Sequence, residues 1–391
     1  MLEMPETPGG TSYENVTVCT GDIRNIAITA DNSQVYAAGN NANTLIKINV
    51  SNNAVATTIN TGRQAFCLAI DASNTAWVGN ANVGGSVGGG YVTKVDIFSN
   101  VTPIQFVDPP AQYARPFSIT TTPDAVWVVG DNEAGLYKIN PTNNSVSGSY
   151  GLLGSNPVSI VASDEYLWIA NALSQSVMQY DLNSNRLSVI GVPTSAPLRC
   201  VALNPDESKV YVVDGYGIIY SMDISGVGGS FSSVTQIPGG NSQGGLVITP
   251  DYIFAGGNTG NIYKILISDV SQVQILSNGS SNAVFSLVTS SDYTSIWAAI
   301  QGEVVRFTEF VPPPPPSPNE AANEALQASN QVAASGATEG AATRAGVPLT
   351  LAAAVSANLQ QIGIPIARIL YTEKITATVP LSIIPGVPIT P

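Results

Sequence analysis

The sequence predicts an all-β main body: a seven-bladed β-propeller closed by the N-terminal strand, followed by a proline-rich linker and a C-terminal arm of short helices and extended segments. Three observations predict it. A four-part pattern recurs seven times with a period of about 43 residues, the mark of a repeat architecture. All four tryptophans fall at one position of that pattern. The composition changes abruptly after Phe310, where VPPPPPSP begins.

Each unit opens with a short apolar strand: IAIT, LAID, FSIT, VSIV, VALN, LVIT and FSLV. The anchors are Ile28, Ile70, Ile119, Ile160, Leu203, Ile248 and Leu287. A turn follows, marked by Asp31, Asp124, Asp164, Asp206, Asp251 and Asp292. Aspartate forms turns by bonding its own backbone. Metal binding, the rival reading, needs carboxylates gathered rather than spread around a ring. The second strand carries Tyr36, Trp77, Trp127, Trp168, Tyr211, Phe254 and Trp297. These aromatics are expected to fill the wedge between blades, with carbohydrate stacking as the rival. A Gly/Asn turn leads to a third strand bearing Lys47, Lys94, Lys138, Lys264 and Arg306, with Gln179 and Ser221 in blades four and five. These cations are expected on a solvated blade face, paired with backbone or turn carboxylates. A fourth strand, such as AVATTI or SVSGSY, ends the unit. Four short alternating strands separated by Gly, Asn and Asp turns describe a propeller blade.

The seventh unit stops after its third strand. ENVTVCTG (14–21) precedes the first anchor as AVATTINTG (54–62) precedes the second. The N-terminal strand is therefore expected to complete the last blade and leave no open seam. The resulting division is an N-terminal extension (1–10), the propeller (11–310), a polyproline linker (311–318) and the arm (319–391).

Segments such as VYAAGNNANTLIKINVSNNAVATTINTG resemble the YVTN and NHL families of β-propeller repeats over about residues 11–310. The resemblance implies the architecture. Those families mostly mediate binding and only some members are enzymes, and no family catalytic motif carries over to a position here.

Charged residues make up 10% of the chain, 14 basic against 27 acidic, for a net charge of −13 with no histidine. Nucleic acid and anionic membrane surfaces demand clustered Lys and Arg, so neither is expected as a partner. Histidine-based triads, metal sites and proton switches are excluded. A surface with few titrating groups changes little on acidification, which suits a hot or acidic exterior. The start, MLEMPETPGG, has neither the basic nor the apolar region of a signal peptide. The most apolar stretch, 349–370, is interrupted by Asn358, Gln360, Gln361 and Arg368, so no transmembrane span is expected. Cys19, Cys67 and Cys200 are odd in number and widely spaced; they read as reduced, mostly buried thiols. Sequons stand at Asn15, Asn49, Asn100, Asn143 and Asn278, although a chain rich in Asn, Ser and Thr also makes them by chance.

The candidate binding residues lie four positions before the anchors. Arg24, Arg115 and Arg199 occupy that place in blades one, three and five, and Asn156 in blade four. Phe66, Gly244 and Ala283 stand in the others. Inner strands line a propeller's channel, so these residues are expected to form a partial ring at one mouth, an anion or carboxylate site. The bland alternative is Arg bonded to turn carbonyls. Glycine-rich NVGGSVGGGY (82–91) and ISGVGGSFSS (224–233) read as hairpin tips; no GK[ST] ending makes the first a phosphate loop. No catalytic, cofactor or metal residues are assigned, and no cofactor is expected.

VPPPPPSP reads as a polyproline II spacer rising about 3.1 Å per residue. An SH3 ligand is the rival, but no Arg or Lys flanks the prolines. Residues 319–334 read as an Ala-rich helix with Asn319 as N-cap and a thin stripe of Ala322, Leu326 and Ala333, ended by Gly336 and Gly340. A second helix is marked by Pro348, by Ala352, Val355, Leu359 and Ile362 on one face, and by Gly363 as stop. The tail carries Ile364, Ile366, Ile369, Leu370, Ile375, Val379 and Leu381. Its prolines (Pro365, Pro380, Pro385, Pro388, Pro391) forbid an ordinary central strand. The arm is too apolar for a solvated tail and too small to bury itself. It is expected to be covered by other protein subunits through residues 319–391, or alternatively by its own propeller.

These readings converge on a non-enzymatic structural and binding protein. The propeller is displayed outside a larger assembly and anchored by the arm, with a virion surface (spike, turret or vertex) as the favoured setting. One alternative is a cell-surface or appendage propeller that binds a glycan or host-surface ligand. The other is a lactonase-like metal-dependent propeller hydrolase. The inner-strand positions hold no carboxylate cluster for it, but a calcium site of oxygen ligands stays open.

Overall fold

The computed structural model describes residues 11–17, 22–40, 42–80, 90–105, 115–130, 135–151, 154–224, 229–242 and 244–309. The linker, the arm, Cys19, most of the first glycine-rich tip and residues 225–228 of the second lie outside them. Among the described residues, 28 strands form seven antiparallel four-stranded sheets, the blades of an all-β seven-bladed propeller. In blade one the order from inside to outside is Ile23–Ile28, Gln34–Gly39, Thr44–Asn49 and Val55–Asn60. Blades two to six repeat it in sequence order. In blade seven, Val284–Thr289, Ser295–Ile300 and Glu303–Glu309 supply three strands, and Thr11–Thr17 pairs on the outside, with Thr11 opposite Glu309 and Thr17 opposite Glu303. Each inner strand packs against its two neighbours all round the ring, including Val284–Thr289 against Ile23–Ile28.

The apolar patterning follows from this geometry. A second strand is covered on both faces by neighbouring blades, so AWVGN (76–80) and AVWVVG (125–130) are buried at every position and read as continuous apolar runs. An outer strand such as Val55–Asn60 is mostly exposed. Seven buried clusters fill the seven interfaces between blades. In each, the second-strand aromatic of one blade packs among residues of the next. Trp77 sits with Val126, Val128 and Tyr137 of blade three, and Trp297 with Ile23, Ile26 and Val35 of blade one.

The third-strand cations stack on those aromatics, their direct cross-strand partners. Lys47 lies 5.5 Å from the Tyr36 ring, Lys94 5.1 Å from Trp77, Lys138 5.1 Å from Trp127 and Arg306 5.2 Å from Trp297. Of the expected partners, backbone or turn carboxylates, the bonds described are to backbone carbonyls and one side-chain amide. Lys94 Nζ donates to Pro141 O (2.6 Å), and Arg306 Nη1 donates to Val50 O (3.0 Å) and Asn53 Oδ1 (3.2 Å). Both reach the outer hairpin turn of the following blade, because the wedge opens toward the rim and only a long side chain spans it.

Asp31, Asp206 and Asp292 are turn formers, as expected. Asp31 Oδ1 accepts from Ser33 N and Oγ, Asp206 Oδ1 from Ser208 N and Oγ, and Asp292 Oδ1 from Thr294 N and Oγ1. Asp71, which the repeat pattern hides inside LAID, does the same for Ser73 and Thr75. Its second oxygen takes the Trp77 indole N–H at 2.9 Å.

Candidate channel-mouth site

The inner strands enter the ring through a β-bulge. In six blades the ladder skips one residue, so two residues of the inner strand face one of the second strand. The skipped residues are Arg24, Phe66, Phe117, Val158, Arg199 and Phe285, all half-buried. Blade six has no such bulge in its short strand Leu246–Ile248; Gly244 stands at the matching place, with φ +137°. A bulge re-aims a side chain at a sheet's rim. The result is a collar of two guanidiniums, three phenyl rings, one isopropyl group and one glycine.

Register corrects the sequence-derived ring. Ile28, Ile70, Leu203 and Ile248 pair with the residue before the second-strand aromatic, whereas Ile119, Ile160 and Leu287 pair with the residue after it. Counting back four residues therefore lands two positions apart in the two groups. Arg24 and Arg199 share the collar. Arg115 and Asn156 precede their strands, level with Asp22 and Pro197. A two-residue slip leaves every side chain on the same face, so the alternation of apolar residues cannot reveal it. The collar residues that the sequence reading missed, Phe117, Val158 and Phe285, become visible only through the pairing with Trp127, Trp168 and Trp297.

The two arginines differ in state. Arg24 Nε donates to Asp22 Oδ2 at 2.6 Å, and its Cζ lies 4.2 Å above the Phe285 ring. Its charge is balanced by a carboxylate that is itself 7% exposed. Arg199 has no hydrogen bond or ion pair among the described residues, and its Nε is buried. Gly215 leaves room beside it; a Cβ there would come 3.5 Å from that nitrogen. Phe66 and Phe117 close the far side as a tilted pair with centroids 4.8 Å apart. The collar thus offers one uncompensated guanidinium, whose neighbours in ring order are Val158 and Gly244, with aromatic surface across the ring.

Below the collar runs a belt of small groups that ties the blades together. Ser118 Oγ accepts from Ile160 N (3.2 Å), Ser159 Oγ from Val201 N (3.2 Å) and Ser286 Oγ from Ile26 N (3.5 Å). Cys67 and Cys200 occupy the same belt position in their blades. Burial pushes the Cys67 thiol up to about 12 and raises that of Cys200, so both stay protonated. Gly79 is required beside Cys67: a Cβ would strike its Sγ and come 2.7 Å from Pro116 Cβ. Among the described residues no three of Cys, Asp and Glu converge as metal ligands. No described helix is long and apolar enough to cross a membrane.

No family model matches the chain, and no curated protein matches its sequence. Solved structures do match in fold. The virginiamycin B lyase of Staphylococcus aureus aligns at TM-score 0.64 with 16% identity, over 77% of this chain and 99% of that one. The hydrazine synthase of Kuenenia stuttgartiensis aligns at 0.63 with 15% identity, over 74% and 96%. The WD40 repeats of RRP9 align at 0.62 with 12% identity, over 76% and 97%. At these identities the likeness is one of fold. The architecture is a seven-bladed β-propeller.

Proposed function

We propose that this chain is a non-enzymatic structural and binding protein, a propeller displayed on the outside of a larger assembly and anchored there by residues 319–391. The repeats are of the YVTN/NHL type, and the favoured setting is a virion surface. One observation carries the reading. Residues 11–309 already supply four strands to each of the seven blades, yet about 70 further residues rich in Ile, Leu, Val and Pro follow the polyproline linker. Apolar surface of that extent is surface for other subunits, and extended Ile/Val segments suit addition to a neighbour's sheet edge. The N-terminal strand acts as the clasp of the disc, because its ladder with Glu303–Glu309 ties the two ends of the propeller by backbone hydrogen bonds. Arg199 at the collar serves a carboxylate or other small anion. Propellers include a lyase and WD40 repeats alike, so the non-enzymatic reading rests on the site and not on the fold.

Light scattering on the full chain and on a chain ending at residue 310 tests this. The full chain should assemble, and the truncated one should be a soluble monomer with unchanged β-sheet circular dichroism. A monomeric full chain, or assembly that survives truncation, would refute the anchor.

A further inference from the structure

Arg24 and Arg199 stand at the same bulge of their inner strands, yet only one is neutralised within the fold. Two residues before Arg24 comes Asp22, whose carboxylate pairs with it. Two residues before Arg199 comes Pro197, which brings no charge. The Arg199 Nε is buried without a partner while the side chain as a whole is half-buried, so the Nη end is the part left to solvent. A guanidinium left unmet in such a place costs free energy that an acceptor from outside would recover.

Charge is sorted between the two faces of blades four and five, which are described without a break from 154 to 224. Asp164, Glu165, Asp206, Glu207 and Lys209 lie at the turns between first and second strands, and Asp181, Arg186 and Asp223 at the turns between third and fourth. Both sets of turns are on the face away from the collar. A strand's length, roughly 15 Å, separates them from Arg199, beyond a Debye length of about 8 Å. On the collar face of these blades the charged residues are Arg199 and Asp214. Asp214 is fully buried and occupied. Its Oδ1 accepts from Tyr216 N and Ile218 N, both at 2.9 Å, and its Oδ2 from Thr194 Oγ1 at 2.6 Å and Tyr220 Oη at 3.3 Å.

The same face shows apolar side chains that the core does not take. Tyr216, in the turn between second and third strands of blade five, is 54% exposed, and Leu173, in the matching turn of blade four, is 64% exposed. Backbone bonds fix both turns against the entries of the inner strands: Gly215 N donates to Pro197 O (2.8 Å), and Leu173 N to Ser155 O (3.1 Å). Gly215 is the residue whose added Cβ would lie 3.5 Å from Arg199 Nε, so Tyr216 is anchored one residue from the wall of the guanidinium.

We infer that the collar face of blades four and five docks an acidic peptide segment of a partner protein, one Asp or Glu pairing with Arg199 and a bulky apolar neighbour lying on Tyr216 and Leu173. The inference rests on the reading of Arg199 as an anion site and names what carries the anion. The planar fork of arginine matches a carboxylate. A phosphate dianion fits worse, because the ladder sets Asp214 opposite Leu198, next to that arginine, and repels the second charge. Nucleic acid needs a run of cations, and this face of the two blades has one. A fixed, exposed tyrosine beside an arginine is the composition of an interface hot spot.

Selection of a phage-displayed random dodecapeptide library on the immobilised full chain tests it. Enriched sequences should carry Asp or Glu next to a bulky apolar residue. The best peptide, measured by fluorescence polarisation, should weaken roughly tenfold on Arg199→Met and by a like factor when its acid is replaced by the amide, with little further loss when both changes are combined. Tyr216→Ser should weaken it too. Arg199 makes no hydrogen bond within the described fold, so Arg199→Met should keep or raise Tm, which separates lost binding from lost folding. Sodium benzoate, followed at the Arg199 Nε–H resonance by NMR, separates the anion site from the peptide surface. A benzoate shift without acidic enrichment would overturn the peptide surface and leave the anion site; neither shift nor enrichment would overturn both. Acidic peptides that bind Arg199→Met undiminished would also overturn the assignment.

Discussion

Replacing Arg306 with methionine should loosen the seam between blades seven and one. Nη1 donates to Val50 O at 3.0 Å and to Asn53 Oδ1 at 3.2 Å, and Cζ lies 5.2 Å from the Trp297 ring. Hydrogen bonds from a charged donor contribute about 1.5–3 kcal/mol, and a stacked cation about 0.5–1 kcal/mol at a part-exposed site. Two effects oppose these. Val50 and Asn53 are only half-buried, so water takes over part of their bonding. The Nε of the same guanidinium is buried without a partner, and removing such a donor returns about 1 kcal/mol. The net loss is about 2 kcal/mol, or about 4 °C in Tm for a domain of this size. Guanidinium unfolding followed by tryptophan fluorescence reads it, with Trp297 itself beneath the cation. Arg306→Lys keeps the charge over the ring but loses the two-pronged donor, and should fall between. Lys94→Met removes the latch of the same design between blades two and three and serves as the control. If the ring opens first where the two ends of the propeller meet, Arg306→Met should raise the unfolding rate more than Lys94→Met at equal loss of stability. A midpoint within about 0.5 kcal/mol of the parent would refute the latch.

Two further outcomes follow from the titrating groups. Cys67 and Cys200 should resist iodoacetamide at pH 8 in the folded protein and react after unfolding, by peptide mass spectrometry; labelling of native Cys67 would contradict its burial. The Thr29 hydroxyl, then the Ser33 N–H and hydroxyl, lower the Asp31 carboxyl from 3.8 to about 2, and similar turn bonds lower Asp206 and Asp292. A depressed folded pKa stabilises fully above the unfolded value and is lost as pH falls through the folded one, so Tm should be level from pH 8 to about 4 and decline from about 4 toward 2. Asp31→Asn should flatten that decline, and a fall beginning near pH 6 would contradict a chain without histidine.

Much of the ring was legible in the residues, and the reason is local. A strand buried on both faces must be apolar throughout, so VYAAGN, AWVGN and VWVVGD announce their place without reference to anything distant. A turn that needs an acceptor two residues ahead of a donor selects Asp31 and Asp292. The candidate site was legible only in part. Arg24 and Arg199 were found, but Arg115 and Asn156 were set in the same ring because a two-residue slip preserves the alternation that guided the reading. The cations of the third strand were found, while their acceptors, the carbonyls of Pro141 and Val50, lie 47 and 256 residues away.

The sequence by itself determined the number of blades, the strands within each and the aromatic that wedges them apart, because each depends on burial and turn chemistry within about 43 residues of chain. Only the tertiary structure decided which inner-strand residues stand level with one another, which guanidinium is neutralised by Asp22, and which turn carbonyl each third-strand cation reaches. Those properties depend on register across the ring and on which blade follows which, and a periodic sequence carries the period but not the phase between its copies.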